Sequence, residues 1–292
     1  MVMRFNGWWK LWPSASRKSR RRVASGSSLK RAADVASPGP TQRVALLERR
    51  QLLTADFIDP NPSANNGFGQ MVVTLSTGNV VVTSPRADVG GTNTGAVYLF
   101  NGTTGELISS LFGSRTGDFA DNFIVPVGVG NFVVVNPSWD NGSVSNAGAV
   151  TWMSGTATVT SVVSAANSLV GTTAGDIIGS VPNEDDGLLA LNVVTLTNGN
   201  YLVASPYWNN GSIRGAGAVT WGNGASGVVG PVSATNSLVG TTEFDFVGYR
   251  WEHYDDGRTY SSESIDTLAQ GNYVVSSPSW DNGTIRDAGA VT

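Results

Sequence analysis

The sequence contains no cysteine and only one histidine among its 292 residues. Without cysteine the chain cannot form a disulfide scaffold, a zinc–thiolate site or an iron–sulfur cluster. It also lacks an uninterrupted apolar run of about 18 residues, the length that a membrane-spanning helix needs. We therefore expect a soluble globular body without a transmembrane segment.

Positive charge is scarce over most of the chain. Twelve of the 18 basic residues lie before position 51, together with two of the 22 acidic residues, so the first fifty residues carry a formal charge of +10. The remainder contains no lysine and carries −14. Nucleic-acid binding by the body is therefore not expected, because it needs a basic surface.

The first 56 residues are expected to form a basic, disordered leader or export segment. Their Arg-, Ser- and Pro-rich composition cannot bury a core, and no apolar stretch of about 7–15 residues follows the basic cluster as in a secretory signal. The sequence Leu-Leu-Glu-Arg-Arg-Gln-Leu-Leu-Thr-Ala-Asp at 46–56 resembles the segment that ends the basic leaders of many large bacterial surface and secreted proteins. The resemblance implies a secreted or cell-surface location in a bacterium; the alternative is a solvated helical turn.

Residues 57–292 are a repeat array. A Gly-Asn block followed by valines or other strand-forming residues and a proline occurs at Gly78–Pro85, Gly130–Pro137, Gly199–Pro206 and Gly271–Pro278. A Gly-Ala-Val block follows each of them, beginning at Gly95, Gly148, Gly217 and Gly289. Self-similarity at this spacing is typical of repeat architectures. The units are placed at about 65–118, 119–175, 176–244 and 245–292, the last truncated.

Each unit is predicted to form four short strands separated by turns. Asn-Gly pairs tolerate the positive φ angles of tight hairpins, which favours antiparallel neighbours. In the third unit the fourth strand is placed near 228–233, and Trp152 and Trp221 are assigned to the core between units. The predicted fold is all-β, a β-propeller-like array of about four four-stranded antiparallel blades with the last incomplete. A β-solenoid is the structural alternative, and it would require parallel strands.

Several segments carry a resemblance to a known family. Phe68-Gly69, residues 81–88 and residues 95–100 look like the FG-GAP repeat of integrin-α-type β-propellers. Units two to four are also similar to repeats of large bacterial secreted haemagglutinin-like proteins. The resemblance covers about 65–292 and implies the propeller architecture and bound Ca²⁺, although the family's Asp-x-Asp-x-Asp-Gly loop is not present.

Calcium candidates fall into two groups. Asp140 and Asp281 follow the strand-two prolines, where a hairpin turn would select the same residue type. The second group consists of acids on insertions in units three and four, where neighbouring carboxylates repel one another unless they are solvated or neutralised by a cation. It contains Glu184, Asp185, Asp186, Asp255 and Asp256.

Tryptophans follow three of the same prolines, at Trp139, Trp208 and Trp280. Such rings could stack on a glycan or protein surface, or they could pack between blades as spacers. Trp251, His253 and Tyr254 lie on the unit-four insertion, the densest polar and aromatic cluster of the body. That cluster is interpreted as either a ligand site or an ordinary exposed loop.

The expected function is a non-enzymatic secreted or cell-surface repeat module for adhesion or for protein or glycan binding. No nucleophile elbow, phosphate-binding loop or metal-spaced His pair is present. The alternative is a carbohydrate-active enzyme that uses the carboxylates of the inserted loops. If the array is an open arc, its free sheet edge predicts edge-to-edge self-association.

Overall fold

A computed structural model describes residues 55–182, 189–253, 259–262 and 264–292. Over these residues the chain consists of β-strands and turns, with one 3-10 turn at Ala269–Gly271 and no α-helix. Within the same ranges, no helix is long and apolar enough to cross a membrane. The predicted all-β class is confirmed.

The first repeat forms four consecutive antiparallel strands. They are β1 (Val72–Thr74), β2 (Val80–Ser84), β3 (Ala96–Phe100) and β4 (Leu107–Phe112). The Val- and aromatic-rich strands β2 and β3 are buried along their whole length, as is expected of strands covered on both faces. Gly78 has a φ of 83° in the turn between β1 and β2, the left-handed conformation that glycine adopts without strain.

Over the described residues, the second repeat has five strands and the third has seven. The second contains β5 (Phe123–Val127), β6 (Asn131–Asn136), β7 (Ala149–Met153), β8 (Thr160–Val162) and β9 (Ser168–Val170). The third contains β10 (Ser180–Pro182), β11 (Leu189–Leu191), β12 (Val193–Thr195), β13 (Tyr201–Ser205), β14 (Ala218–Gly222), β15 (Gly230–Pro231) and β16 (Ser237–Val239). Strands β5-β6-β7-β9 and β12-β13-β14-β16 form antiparallel sheets like that of the first repeat.

The insertions of repeats three and four are hairpins that precede the sheet strands. Among the described residues, β10 pairs with β11 alone, and in the fourth repeat β17 (Arg250–His253) pairs with β18 (Thr259–Ser262) alone. The fourth sheet then consists of β19 (Ile265–Thr267), β20 (Tyr273–Ser277) and β21 (Ala290–Val291). Neighbouring sheet strands of the same repeat are antiparallel, so the parallel pairing that a β-solenoid requires is not found within the described repeats.

Strands β8 and β15 leave their own repeat and complete the sheet of the preceding one. Strand β8 pairs in parallel with β4, and β15 pairs in parallel with β9. We call β8 and β15 the crossing strands. The placement of the fourth strand of unit three near 228–233 was wrong: that segment contains the crossing strand β15, and the fourth strand of the sheet is β16.

Successive sheets pack face to face. Each of three apolar clusters contains residues of two neighbouring repeats, for example Leu111 with Phe132, Leu169 with Tyr201, and Leu202 with Val275. Because these side chains are excluded from water by the next repeat, each sheet is stabilised mainly through its neighbours.

The outer face of the first sheet is covered by the segment that leads into it. Phe57 and Phe68 pack against Tyr98 and Phe100, with the rings of Phe57 and Phe100 5.5 Å apart. Asn61 Nδ2 also donates to the Tyr98 hydroxyl at 3.1 Å. The apolar face of sheet one is therefore already buried without another repeat in front of it.

Candidate functional site

The stack of sheets has two different ends. Turns such as residues 75–79 join the first and second strands at one end, which we call the turn end. Longer segments follow the second and fourth strands of each sheet at the opposite end, such as 85–95 and 113–122 in the first repeat. We call this opposite end the loop end.

Asparagine side chains connect neighbouring repeats at the turn end. Asn79 Nδ2 donates to the Gly155 carbonyl of the next repeat at 2.7 Å, and Asn131 Nδ2 donates to Gly224 at 3.0 Å. The amide oxygen of Asn131 also accepts the Gly155 N–H at 3.2 Å. The Gly-Asn block therefore joins repeats as well as forming a turn, and this end serves assembly of the stack.

Buried aspartates connect the repeats at the loop end. Asp118, Asp176 and Asp245 are at most 1% exposed. Oδ2 of Asp176 accepts the N–H groups of Thr172 and Thr173 at 2.9 and 2.8 Å, and its Oδ1 accepts the N–H of Asn209 in the next repeat at 3.1 Å. A carboxylate whose oxygens accept several N–H groups can remain buried.

The other two aspartates have the same contacts. Asp118 accepts from Ser114 and Arg115 at 2.6 and 2.7 Å, and Asp245 accepts from Asp281 N at 3.0 Å across the next interface. We call Asp118, Asp176 and Asp245 the interface aspartates. Sequence reasoning missed them, although each lies five residues after the glycine of a Gly-Thr-Thr or Gly-Ser-Arg block.

Asp140 and Asp281, which were calcium candidates, close turns at the loop end. Their Oδ1 atoms accept the N–H groups of Asn146 and Asp287 at 2.9 and 2.8 Å. Uncharged Asn209 makes the same bond to Gly215 N at 2.8 Å, so the turn does not require a carboxylate. No group of three or more His, Asp or Glu side chains within the described ranges could hold a metal ion.

The acidic residues of the insertions in repeats three and four are the second group of calcium candidates. Glu184, Asp185, Asp186, Asp255 and Asp256 lie outside the described residues. Calcium binding by the inserted loops therefore remains a prediction.

The structure buries two of the tryptophans that were candidates for ligand stacking, and it exposes one that was predicted to lie in the core. Trp139 and Trp208 are each 3% exposed and belong to the apolar clusters between sheets, so they act as spacers and offer no open face for stacking on a ligand. Trp280 is partly exposed. Trp221 was expected in the core but is 41% exposed, whereas its counterpart Trp152 is half-buried and donates to Gly224 O.

The unit-four cluster is described only in part. Trp251 and His253 lie on strand β17, and Tyr254 is outside the described residues. Its role as a ligand site remains a prediction.

An aromatic cluster with an arginine occupies the loop end of the third repeat. The ring centroids of Phe244 and Phe246 are 5.7 Å apart, and those of Tyr207 and Phe246 are 5.6 Å apart. The Arg214 guanidinium carbon lies 5.9 Å from the Phe244 ring centroid, a distance at which a cation is attracted to the ring face. We call Tyr207, Phe244, Phe246 and Arg214 the aromatic patch.

Phe244 is the most accessible ring of this patch, with 47% of its surface exposed. It borders a cleft of about 210 Å³ that also contains Tyr207, Asn209 and Arg214. On its other side it borders a cleft of about 430 Å³ with Glu243, Asp281, Arg286 and Asp287. An apolar surface flanked by several hydrogen-bonding groups is typical of a ligand site.

A family model for a repeat of unknown function, DUF5650, matches the chain four times, at residues 74–122, 126–180, 195–249 and 267–292. The matches cover more than half of the sequence. The chain belongs to the DUF5650 repeat family. No curated protein matches it closely enough to count as a relative.

The DUF5650 matches confirm the count of four repeats. The first three contain the interface aspartates, Asp118, Asp176 and Asp245. The family unit thus includes the residue that joins it to the next unit.

Phe244 occupies a position that is glycine in the first and second DUF5650 repeats of this chain. Its N–H donates to the Arg214 carbonyl at 2.9 Å, as that of Gly175 donates to Ser145 and that of Gly117 to Asn93. The shared bond accompanies a left-handed conformation at all three positions, with φ of 67°, 78° and 89°. Glycine adopts this conformation freely, whereas phenylalanine is strained in it.

The sequence does contain a signal for the patch. The repeated Gly-Thr-Thr block continues as Ala-Gly-Asp-Ile in the second repeat and as Glu-Phe-Asp-Phe in the third. Aligning the two blocks beyond threonine shows a phenylalanine in place of glycine at 244. Without the φ angle, that difference reads as ordinary variation in a loop.

Proposed function

We propose that the body is a non-enzymatic module of a secreted or cell-surface protein and that it binds a glycan or protein ligand at the aromatic patch. Adhesion is the proposed role of this binding. The acidic, lysine-free body and the resemblance of residues 46–56 to the end of bacterial export leaders support the proposed location.

The strained Phe244 is the observation that carries the proposal. A phenylalanine with φ of 67° costs about 1–2 kcal/mol relative to the right-handed region, and the glycines of two sibling repeats avoid this cost. Strain of this kind is concentrated at ligand-binding sites. Since the ring is also 47% exposed, its contribution to the core does not account for its presence.

The neighbours of Phe244 suit a sugar or a polar peptide surface. A planar ring can cover an apolar sugar face, and the arginines and carboxylates beside it can bond hydroxyl or amide groups. Gly215 makes room for the rings, because a Cβ there would lie 2.9 Å from the Phe246 ring and 3.2 Å from the Phe244 ring.

The test compares the full chain with Phe244→Gly on a glycan array and on immobilised matrix proteins. We expect binding to be lost in the variant. The free energy of unfolding should change by less than about 1 kcal/mol, because release of the left-handed strain offsets the loss of a half-buried ring. Thermal and urea unfolding measure that change.

Val129→Gly is the matched control. Val129 is 92% exposed in the β5–β6 turn at the opposite end of the stack, so its removal should leave binding intact. Equal binding by the native chain and Phe244→Gly would refute the site. Turnover of a bound polysaccharide would refute the non-enzymatic assignment.

A further inference from the structure

A second cleft lies at the loop end of the first repeat, between the segments that follow β2 and β4. Its volume is about 260 Å³, and its polar lining consists of Gln70, Arg86, Asn93 and Thr116. Among the described residues, none with a carboxylate lines it. We call it the Arg86 cleft. In an acidic body, a cleft with an arginine and no lining carboxylate favours an anionic group over a cation.

Hydrogen bonds between the two loops fix the walls of the Arg86 cleft. Gly117 N–H donates to Asn93 O at 2.9 Å, and Thr116 Oγ1 donates to Thr92 O at 2.8 Å. Both bonds join the segment after β4 to the segment after β2. A ligand therefore meets walls that are already in place, which lowers the entropic cost of binding.

The Arg86 cleft uses positions that form the aromatic patch in the third repeat. Arg86 follows the strand-two proline as Tyr207 does, and Gly117 corresponds to Phe244. A Cβ at Gly117 would have no heavy atom within 4 Å, so the space beside this position is open in the first repeat. The loop end thus presents an arginine and open space in one repeat and aromatic rings in another.

The Arg86 guanidinium is available to a ligand. Within the described part of the chain, no carboxylate oxygen lies within 4.0 Å of its nitrogens. The aspartates of the two loops, Asp88, Asp118 and Asp121, accept hydrogen bonds from other groups. Asp88 Oδ1, for example, accepts the Asn93 N–H at 2.7 Å. The carboxylates near the cleft therefore hold the loops and leave the arginine without an ion pair.

We propose that the Arg86 cleft binds an acidic sugar residue through its carboxylate or sulfate-ester group. The planar Arg86 guanidinium donates to two oxygens of the anionic group. The amides of Gln70 and Asn93 both donate and accept, which suits the sugar hydroxyls. A volume of about 260 Å³ is at the lower end for small-molecule sites, so the cleft receives one sugar unit. This site is separate from the aromatic patch and does not depend on it.

The test titrates the full chain, prepared with isotope-labelled arginine, with sodium D-glucuronate and with D-glucose sulfate at constant ionic strength. We expect a saturable shift of the Arg86 Nε–Hε NMR signal, which is assigned by its loss in Arg86→Gln. Saturation by glucuronate alone supports the proposal and identifies a carboxylate ligand. Saturation by the sulfated sugar alone supports it and identifies a sulfate ester. D-glucose should produce no saturable shift.

Two results of this titration would overturn the proposal. One is the absence of a saturable Arg86 shift with both acidic sugars at about 10 mM. The other is an equal or larger saturable shift with inorganic sulfate or with an N-acetylated glutamate amide. The cleft would then recognise an ion or an acidic peptide side chain, and the sugar would add nothing.

Two arginine variants separate direct contact from the general effect of charge. Arg86→Gln and Arg115→Gln each remove one exposed positive charge from the loop end of the first repeat, and Arg115 does not line the cleft. Arg86→Gln should weaken sugar binding at least about tenfold, whereas Arg115→Gln should change it less than about twofold. Saturation-transfer NMR on the sugar protons measures both, and a thermal melt checks that the variants fold. Equal weakening in the two variants, or undiminished binding by folded Arg86→Gln, overturns the proposal.

Discussion

At the residue scale, polar side chains determine how one repeat meets the next. The interface aspartates accept N–H groups from two repeats at once, and Asn131 bonds glycines on both sides of an interface. Such bonds have strict directions, unlike apolar contact. They therefore fix the register in which the sheets stack, while the apolar clusters supply most of the favourable free energy.

Substituting Asp176 by Asn tests this role. Asparagine has nearly the same shape, but its NH₂ group would face an N–H donor that the carboxylate now accepts. We expect a loss of about 2 to 3 kcal/mol in the free energy of unfolding, measured by urea unfolding with tryptophan fluorescence.

Asp266→Asn is the control for this substitution. Asp266 is exposed on β19, so the change should cost less than about 0.5 kcal/mol. Similar losses in the two variants would contradict the structural role of the interface aspartate.

The burial and contacts of individual side chains were harder to predict than the spacing of the repeats. The repeated Pro-x-Trp motif marked Trp139 and Trp208 as equivalent, and both are buried in the same way. Sequence alone could not separate Trp152 from Trp221, because their surroundings depend on the loop of the following repeat. The turn-closing role of Asp140 was among the sequence alternatives, whereas the strain at Phe244 required its φ angle.

At the element scale, the crossing strands are the feature that distinguishes this array from independent sheets. They are only two or three residues long, too short to be stable alone. Their valine anchors Val163 and Val232 lie just after the strand and are buried between the sheets. The anchor and the parallel pairing together keep the connection in place.

Substituting Val163 by Asp should separate the first two sheets. The new carboxylate would be buried in an apolar cluster without a partner, and we expect a loss of about 3 kcal/mol or more in the free energy of unfolding. Urea unfolding of the full chain measures it.

The neighbouring residue provides a matched control. Val162 is 48% exposed on the same crossing strand, so Val162→Asp should cost less than about 1 kcal/mol. A loss as large as that of Val163→Asp would show that the strand is sensitive to any charge and that the anchor has no special role.

The sequence was sufficient to locate the second strand of every sheet. Glycines at the turns, valine runs and prolines after the second strand located β2, β6, β13 and β20. The crossing strand β15 was mistaken for a fourth strand, since Val229, Gly230 and Pro231 form a short apolar run of the same kind. Hydrophobic pattern specifies that a segment is extended, but not which sheet it joins.

At the scale of the whole molecule, burial among the described residues is lower in the fourth repeat than in the first and third. Strands β2 and β13 are buried at every position, whereas the equivalent β20 has only Val275 and Ser277 buried. In a stack where each sheet depends on its neighbours, local stability follows this coverage.

Hydrogen exchange followed by mass spectrometry should detect the lower local stability of the fourth repeat. We expect the amides of β20 to exchange faster than those of β2 and β13 in the same sample, because opening β20 exposes less buried surface. The comparison within one chain controls for pH and temperature. Equal amide exchange rates in β20 and β13 would contradict a lower local stability of the fourth repeat.

The crossing strands have a consequence for how such an array changes in number during evolution. Because β8 and β15 complete the sheet of the preceding repeat, the piece of gene that encodes one sheet does not encode one self-sufficient unit. Inserting or deleting one whole repeat length leaves each internal sheet with a crossing strand from the repeat that then follows it, wherever in the repeat the cut falls. Inserting or deleting part of a repeat leaves a fourth strand without its crossing strand, so the array is expected to change only by whole repeat lengths.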